Sequence, residues 1–447
     1  MSFLKKVFVK APFFVKRIFI NAEAVRRDYF RRYGDYNELL KNADINYIMT
    51  SGYNVEKEEL FRKLIENASL HVPKYRNCTA LSLSEIGKLP LLHKSDIREH
   101  YDEYLSDKID KKTCFKGITS GSTGTAVSYY RDRESVRLSQ LYAEKLLEFA
   151  GLRQGDRRAR ISGVSLIPFE CEKPPFWVYI DRYKQLQMSA YHIKSGNAGK
   201  YINAMRRYNV TFGTGYATAW LFLAEYVLKE NLTVPKLSAI VTDSEGITQS
   251  QQEKVEKAFN CPVYQTYGLS ETGQLAFQCR HGSYHIVPSV CHIEILDSDG
   301  KPAPKGTLGE IAVTSLIAND TPVIRYLTGD LGVMGKEPCA CGWNTDYLEH
   351  IEGRVDDYIL TPDGRRIGRL SHIAKTMKGV LQSQIVQTAP DSVVIRVVQD
   401  RDFDESSMEE TVKNAAAYLG NMKVRWENTN ELERTKNGKV RFVIRKI

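Results

Sequence analysis

Residues 119–125 read Thr119-Ser120-Gly121-Ser122-Thr123-Gly124-Thr125, a run of hydroxyl side chains around two glycines. The run lies between the apolar segment 115–118 and the β-prone segment 126–130, which predicts a loop between two strands. Glycine accepts positive φ, so successive backbone N–H groups can converge on an anion while the hydroxyls add donors without bulk. The run is therefore a candidate phosphate loop, although similar turns also occur with no ligand.

Four further stretches follow the loop in a fixed order. They are Tyr267-Gly268-Leu269-Ser270-Glu271, Tyr326-Leu327-Thr328-Gly329-Asp330-Leu331, Gly353-Arg354-Val355-Asp356-Asp357 and Gly438-Lys439-Val440. Each stretch is weak by itself, but the ordered set resembles the adenylate-forming superfamily of acyl-CoA synthetases. Within it, the set is most similar to the phenylacetate–coenzyme A ligase branch, including relatives from capsule-polysaccharide loci. The resemblance covers roughly residues 85–447.

The resemblance implies how ATP and the substrate would be held. Loop 119–124 would bind the β- and γ-phosphates, Glu271 would bind Mg²⁺, and Lys439 would reach the α-phosphate and the substrate carboxylate. Asp330 would accept hydrogen bonds from both ribose hydroxyls, and Arg354 would donate to the same sugar. Such a set neutralises charge as two anions, the carboxylate and the α-phosphate, approach each other.

The adenine side departs in part from the family pattern. Tyr267 would offer its flat face to the base, with Gly268 and Ser270 in the same stretch. A Gly-Glu-Pro-like element usually frames adenine; here Ser244-Glu245-Gly246 keeps the carboxylate and loses the proline. Thr125 stands where the family loop often carries lysine, so phosphate charge must be met by the metal and by residues elsewhere.

The acyl acceptor is less well defined than the adenylation step. After Asp357, residues 359–366 replace the Gly-Val-Asn segment that helps shape the second half-reaction in relatives. Coenzyme A is therefore one candidate acceptor, and an amine or a hydroxyl, for example on a surface-polysaccharide sugar, is another. A non-catalytic nucleotide-binding or scaffold protein with the same fold is the alternative function. The chain retains all four charged site residues, Glu271, Asp330, Arg354 and Lys439, which favours the enzyme over the non-catalytic protein.

The acyl pocket is predicted from two stretches, 189–192 and 213–218, which stand where relatives build it. Tyr191, His192 and Tyr216 would give this pocket polar groups, which favours a small or medium carboxylic acid over a long fatty acid. Core packing explains the tyrosines equally well.

Alternating strands and helices between residues 134 and 266 predict a parallel sheet covered by helices. From Cys291 onward the pattern becomes antiparallel β, and a small α+β unit follows Arg354. We therefore predict an α/β fold with a large N-terminal adenylation domain, residues 1–354, that includes a β subdomain. A small mobile C-terminal domain would span residues 355–447, with the family hinge at Asp356.

Eight cysteines without a secretory signal predict thiols or a metal site and not disulfides. Cys279 and His285, together with the Cys339-Ala340-Cys341-Gly342 turn, supply four ligands for a closed tetrahedral Zn²⁺ site of structural type. Similar Cys/His sites occur in some phenylacetate-ligase relatives. His281 is the rival imidazole, and four unconnected residues are the alternative.

Residues 1–36 form a basic amphipathic N-terminal segment. Lys5, Lys6, Lys10, Lys16 and Arg17 alternate with apolar residues, and residues 1–20 contain no acid. The segment can lie in the headgroup region of an anionic membrane, or it can pack on the main domain with Pro12 interrupting a helix. Both interpretations are open.

Composition sets the wider expectations. With 42% hydrophobic and 26% charged residues, the chain is typical of a folded protein. It shows no secretory signal and no uncharged run of about 20 apolar residues. The net charge of +9 attracts anions weakly, but no nucleic-acid motif accompanies it. We expect a cytoplasmic protein, with peripheral contact at the inner membrane face as an option.

Overall fold

The computed structural model describes most of the chain. The described residues are 11–50, 54–76, 78, 82–118, 128–164, 167, 171–194, 196–354, 359–362, 366–367, 370, 373, 377–399, 401–419, 422–434 and 440–447, without the side chains of 54, 118, 353, 354, 366, 367, 381 and 418. The chain divides into two compact units, Met1–Ile351 and Glu352–Ile447. The functional domain boundary after residue 354 stays a prediction.

The first unit contains helices α1 to α9 and strands β1 to β14. The helices are α1 Phe13–Arg31, α2 Tyr36–Asn42, α3 Ile45–Thr50, α4 Asn54–His71, α5 Lys94–Glu99, α6 Arg133–Phe149, α7 Ala198–Arg207, α8 Ala217–Lys229 and α9 Gln249–Phe259. The strands are β1 Phe115–Ile118, β2 Ser128–Arg131, β3 Arg158–Ser162, β4 Trp177–Ile180, β5 Gln185–Ser189, β6 Phe212–Tyr216, β7 Ile240–Asp243, β8 Val263–Leu269, β9 Gly273–Gln278, β10 Tyr284–Ile286, β11 Cys291–Leu296, β12 Leu308–Ser315, β13 Tyr326–Met334 and β14 Tyr347–Arg354. Short 3₁₀ turns occur at Pro73–Tyr75, Leu83–Lys88, Tyr101–Tyr104, Asp181–Tyr183 and Ala190–His192.

Twelve of these strands form one mixed sheet, in the order β11-β12-β13-β14-β10-β9-β8-β7-β6-β3-β5-β4. Strands β5, β3, β6, β7 and β8 run parallel, and β4 pairs antiparallel at the edge. From β8 to β9 the pairing becomes antiparallel. The predicted α/β fold with a parallel sheet and a β subdomain is confirmed.

Local sequence explains where the helices α6 and α9 begin. The Asp132 side chain accepts a 2.7 Å hydrogen bond from the backbone N–H of Ser135 and so caps α6. Thr248 and Gln251 form a reciprocal capping box at the start of α9. The antiparallel part of the sheet packs against α6 through aromatic rings, with Phe149 centred 5.9 Å from Phe277 of β9 in an edge-to-face arrangement.

Helix α1 begins directly after Pro12, as expected for a residue that cannot continue a helix. The inner side of α1 packs on the rest of the first unit. Ala24 and Asp28 are buried there, and Asn21 Nδ2 donates to the carbonyl of Tyr179. Lys16 is also buried, which agrees with the interpretation that part of this segment packs on the main domain. Burial lowers the pKa of Lys16. Within the described residues, no helix is long and apolar enough to span a membrane.

The second unit is a small α+β structure, as the sequence predicts. It contains β15 Ile359–Leu360, β16 Arg366–Ile367, β17 Val380–Ala389, β18 Ser392–Gln399, α10 Glu405–Tyr418, β19 Lys423–Asn428 and β20 Val443–Arg445. The last four strands form a sheet in the order β19-β18-β17-β20. Its core includes Ile385, Val393, Met408 and Leu419, so α10 packs against the sheet.

Candidate active site and metal centre

Tyr267 and Asp330 come together in the first unit. The Tyr267 hydroxyl donates a 2.9 Å hydrogen bond to Oδ2 of Asp330, and both residues are only 8% exposed. The backbone N–H of Asp330 donates to Oγ1 of Thr328 at 3.0 Å. The carboxylate predicted to hold ribose is therefore held by a tyrosine from another strand, and the Asp330 backbone is held by Thr328 of its own strand. The Tyr267 ring belongs to the hydrophobic core beside it.

Glu271 lies in the turn between β8 and β9. Its Oε1 accepts from the Tyr326 hydroxyl at 3.1 Å, and its Oε2 accepts from Ser270 Oγ at 3.1 Å. Glu271 is half-buried, whereas Tyr326 is fully buried. The carboxylate thus has a defined position, and its oxygen atoms are ligands that a hard cation such as Mg²⁺ prefers.

These contacts show that the large sheet curves back on itself. Strands β8 and β13 are separated by β9, β10 and β14 in the sheet order. In a flat sheet, four steps of about 4.8 Å would hold them roughly 19 Å apart. Two direct hydrogen bonds nevertheless join β8 and its following turn to β13. The curvature is what brings two separate sequence motifs into one site.

A second set of polar residues lies toward the carboxyl ends of strands β3, β6 and β7. Arg160 forms a bidentate ion pair with Asp243, at 2.6 and 3.1 Å. Burial disfavours the Arg160 charge, but Asp243 more than offsets this, so the pKa of Arg160 is raised. Tyr216 is the register partner of Asp243, and burial raises the pKa of Tyr216.

The segments that follow these strands are tied to each other. Glu245 Oε1 accepts from both the backbone N–H and the hydroxyl of Thr218, at the start of α8. Ser244 adopts φ 71° and donates to Oδ1 of Asp243 at 2.9 Å. Gly215 adopts φ +119°, and an added Cβ would lie 2.0 Å from the carbonyl oxygen of Ile161. Only glycine allows β6 to approach β3 this closely.

Tyr191 and His192 lie on the adjacent turn but have different surroundings. The Tyr191 hydroxyl donates to the carbonyl of Gly163 at 2.9 Å. His192 is buried, stacks on Phe176 at 4.9 Å, and has Nδ1 2.8 Å from Ser189 Oγ. His192 is thus packed among its neighbours, and its role in the acyl pocket stays a prediction.

Four candidate metal ligands converge in the antiparallel part of the sheet. The ligand atoms of Cys279, His285, Cys339 and Cys341 all lie within 4.8 Å of one another. Cys279 Sγ is 3.7 Å from Cys339 Sγ, and Cys341 Sγ is 3.2 Å from His285 Nε2. His285 is buried in this cluster, whereas His281 is exposed on the turn before it.

The cluster fits a tetrahedral zinc ion. With Zn–S bonds of about 2.3 Å, two thiolates on a tetrahedron lie about 3.8 Å apart. The observed Sγ–Sγ distance of 3.7 Å matches this value. His285 Nδ1 lies 3.1 Å from Thr345 Oγ1, an outer contact that fixes the ring with Nε2 facing the cluster. Without an ion, burial raises the pKa of Cys341 to about 12.

Comparisons with known proteins agree with this geometry. The family described as AMP-binding enzyme matches residues 191–316, and the CapK C-terminal domain family matches residues 359–446. Protein CapK of Staphylococcus aureus is 25% identical over 440 residues, covering 96% of this chain and 95% of that protein. The phenylacetate–coenzyme A ligase of Thermus thermophilus is 25% identical over 328 residues, covering 69% of this chain and 68% of that enzyme.

A solved structure has the same fold. A 2-hydroxyisobutyryl-CoA ligase in the postadenylation state, in complex with 2-HIB-AMP, superposes with a TM-score of 0.71 at 18% identity. The match covers 90% of this chain and 92% of that one. The two family matches and the curated relatives support the predicted adenylate-forming superfamily, in the branch of the phenylacetate–coenzyme A ligases and CapK. The chain is an AMP-forming ligase.

Several superfamily motifs lie outside the described residues. They are the phosphate loop Thr119–Gly124, the Arg354 side chain, the hinge residue Asp356 and Lys439. Their roles stay predictions. Of the remaining predicted residues, the structure brings Tyr267, Asp330, Glu271 and Ser270 together on the curved sheet, while Ser244, Glu245 and Tyr216 lie at the ends of β6 and β7.

The sequence analysis missed Arg160. This residue alternates with apolar positions in β3, Arg158-Ala159-Arg160-Ile161, where a buried strand would be expected to carry apolar side chains. A charged residue inside such a strand needs a partner, and Asp243 at the end of a neighbouring predicted strand was available. A charged residue in a strand that is expected to be buried was therefore the signal from which this ion pair could have been predicted.

Proposed function

We propose that this AMP-forming ligase activates a small or medium polar carboxylic acid as its acyl-adenylate and passes the acyl group to coenzyme A. The observation that carries the proposal is the joint placement of the Asp330 and Glu271 carboxylates on the curved sheet, each held by a tyrosine hydroxyl. ATP contains both a sugar and a phosphate chain that binds magnesium. Two preorganised carboxylates suit such a ligand, because one can bind the sugar and the other the magnesium ion.

In the proposed adenylation step, Asp330 binds the ribose hydroxyls of ATP. Tyr267 holds the carboxylate through Oδ2, which limits its rotation and so reduces the entropy lost on binding. Glu271 is the Mg²⁺ ligand, oriented by Tyr326 and Ser270. A bound Mg²⁺ would neutralise phosphate charge as the substrate carboxylate approaches. Lys439 would supply a further cation, as the family resemblance implies.

The proposed substrate class rests on the carboxyl ends of β3, β6 and β7. Arg160, Asp243, Thr218 and Glu245 form polar contacts there. A long alkyl chain packed against these groups would remove water without replacing its hydrogen bonds, which costs about 1–3 kcal/mol per group. An acid that carries its own hydroxyl, amide or ring substituent avoids this penalty.

Coenzyme A is the proposed acceptor because several relatives of this chain are named as coenzyme A ligases. A hydroxyl or amine on a surface-polysaccharide sugar is the second candidate. It is favoured by the match to CapK, which extends over 96% of the chain and so includes the segment after Asp357 where the sequence departs from the phenylacetate type.

The experiment that tests this function is ATP–pyrophosphate exchange across a panel of carboxylic acids. Exchange with a hydroxylated or aromatic acid of up to about ten carbons, absent in Lys439→Ala, is the expected result. Acyl-CoA formation by the same acid, followed by chromatography, then identifies the acceptor. Binding of ATP without exchange for any acid would instead support the non-catalytic alternative.

We also propose that Cys279, His285, Cys339 and Cys341 hold a structural Zn²⁺. A four-ligand site leaves no open position for chemistry, so its contribution is to join β9, β10 and the turn before β14. Binding would deprotonate the thiols, because a coordinated cation reverses the effect of burial on them.

Peripheral membrane contact is a further proposal, supported by the outer side of α1. Phe14, Ile18, Val25 and Tyr29 are 58–77% exposed and follow helical spacing, so they form one apolar stripe. Lys5, Lys6 and Lys10, which precede the helix, supply positive charge for an anionic surface. The proposed surface is the cytoplasmic face of the membrane.

A further inference from the structure

A cavity of about 320 Å³ lies beside the metal centre and has no role in the proposed reaction. It is lined by α4, by residues that follow β10, and by the segment between β13 and β14. Its charged lining residues are Lys57, Lys305, Lys336, Glu337 and Asp346. Among the described residues that line the cavity, none belongs to the Tyr267–Asp330 pair or to the Glu271 contacts.

Lys57 is the unusual member of this lining. It projects from α4 into the cavity wall and is only 6% exposed. Among the residues that the structure describes, no hydrogen bond or ion pair reaches its ammonium group. The stem of Lys57 is buried, whereas its ammonium group faces the cavity, as lysines do when they cover apolar surface with their methylene groups. An anion in the cavity can therefore reach this charge.

The other charged groups around the cavity do not balance Lys57. Asp346 already pairs with Lys305 at 3.2 Å. Glu337 and Lys336 are both exposed at the surface, so their charges are screened by solvent. The Lys57 charge also reaches His292, whose pKa is lowered to about 3, first by burial and then by Lys57. That imidazole is therefore neutral and supplies no negative charge.

We propose that this cavity binds a small phosphate-bearing anion, with the Lys57 ammonium as its counter-ion. Asn344 and Thr345 line the same space and add neutral hydrogen-bond donors. Three lysines against two carboxylates leave a net positive site, and Lys336 at the open side can meet the second charge of a phosphate. The flat rings of Trp343 and Tyr347 also line the cavity and offer an apolar face to a small organic group.

The test is calorimetric titration of the full-length protein with inorganic phosphate at constant ionic strength. A non-hydrolysable ATP analogue with Mg²⁺ is present throughout, so that the nucleotide site is occupied. Wild type should bind saturably, and Lys57→Met should bind roughly tenfold or more weakly, because one charge-assisted contact is lost. Lys63→Met is the matched control: it lies on the same helix, is exposed, and pairs with Glu59. It should bind as wild type does.

A second readout separates binding from folding. Without phosphate, Lys57→Met should melt close to wild type, because methionine keeps the buried stem and the ammonium has no partner to lose. Phosphate should raise the melting temperature of wild type and of Lys63→Met, and leave that of Lys57→Met unchanged. If Lys57→Met does not fold, acetylation of Lys57 in wild type, followed by mass spectrometry, should slow when phosphate is added. Absence of saturable binding, equal affinity in folded Lys57→Met, or phosphate-independent acetylation would each overturn the proposal.

Discussion

The Tyr267 hydroxyl donates a 2.9 Å hydrogen bond to Oδ2 of Asp330, although four strand-to-strand steps separate β8 from β13 in the sheet. This bond closes the curved part of the sheet at the proposed ribose site. A tyrosine predicted to offer its ring to adenine therefore also positions the carboxylate that would hold the sugar. The two roles are compatible, because one uses the ring face and the other uses the hydroxyl.

The first prediction concerns this pair. Asp330→Asn should raise the apparent KM for ATP by roughly tenfold to hundredfold, since charge-assisted hydrogen bonds are worth about 1.5–3 kcal/mol. Tyr267→Phe should raise it only a few-fold, since it removes one donor and keeps the ring. Pyrophosphate exchange at varied ATP measures both effects.

The two substitutions should not be additive, because they remove the same contact. In the Asp330→Asn background, Tyr267→Phe should therefore raise the apparent KM for ATP by a smaller factor than it does in wild type. Strictly additive effects would show that the Tyr267 hydroxyl does not act through Asp330.

The second prediction concerns magnesium. Glu271→Gln should shift the Mg²⁺ dependence of exchange to higher concentration, since a neutral amide is a weaker ligand for a hard cation. Tyr326→Phe should produce a smaller shift in the same direction, because it frees the carboxylate that the Tyr326 hydroxyl orients. A Mg²⁺ titration at saturating ATP measures the shift. An unchanged midpoint in Glu271→Gln would mean that its role is misassigned.

How much of the structure can be predicted from the sequence alone depends on how far apart the interacting residues lie along the chain. The alternation of strands and helices follows from short-range patterns, and the structure agrees with it. Each of the two Cys/His ligand pairs is also a short-range pattern, and the structure brings the two pairs together. Periodicity predicts the strand β8 but contains no information on the curvature that brings Tyr267 to Asp330. The family motif order supplied that relation.

Other features could not be predicted for a similar reason. The pairing of Arg160 with Asp243 depends on strand order, because β3 and β7 both pair with β6. The burial of Lys16 depends on which side of α1 meets the rest of the first unit, and the sequence left both membrane contact and packing open for this segment. Lys57 is one ordinary lysine in the sequence, and only packing around α4 distinguishes it.

The third prediction is a pH dependence of stability. The pKa of His292 is lowered to about 3 in the folded protein, whereas an unfolded histidine titrates near 6.5. Between these values the unfolded chain binds more protons, so stability must fall as the pH falls. From pH 6.5 to pH 5 the loss should be on the order of 1–2 kcal/mol. Urea unfolding of wild type and His292→Asn at several pH values checks this. The variant should lose less stability over the same interval, and identical slopes would contradict the assignment.

The fourth prediction concerns the metal. Protein purified without chelators should contain about one Zn²⁺ per chain, and Cys339→Ser should lose it and melt at a lower temperature. Cys171→Ser is the matched control, because Cys171 is half-buried and lies outside the cluster. Metal analysis and melting curves measure both effects. Wild type without zinc, together with an unaltered melting temperature for Cys339→Ser, would reject the site.

The last prediction separates membrane contact from packing of α1. Deleting residues 1–20 would also remove the first two turns of this packed helix, so substitutions on its outer side give the cleaner experiment. Phe14→Ser combined with Ile18→Ser should weaken binding to vesicles of phosphatidylglycerol and phosphatidylcholine by at least about tenfold. Burying each of these side chains is worth roughly 1.5–3 kcal/mol. Pyrophosphate exchange should stay unchanged, because neither residue lies near the proposed site.

The matched control for this experiment is Val55→Ser combined with Leu70→Ser, two apolar side chains that are 81% and 65% exposed on α4. This pair should leave vesicle binding intact. Raising the salt concentration should weaken binding of wild type, since the lysines before α1 act through a screened attraction. Unchanged vesicle binding in Phe14→Ser/Ile18→Ser would exclude the stripe as a membrane contact. If that variant instead converts a dimer into a monomer during size-exclusion chromatography, the stripe is an interface between two copies of the chain.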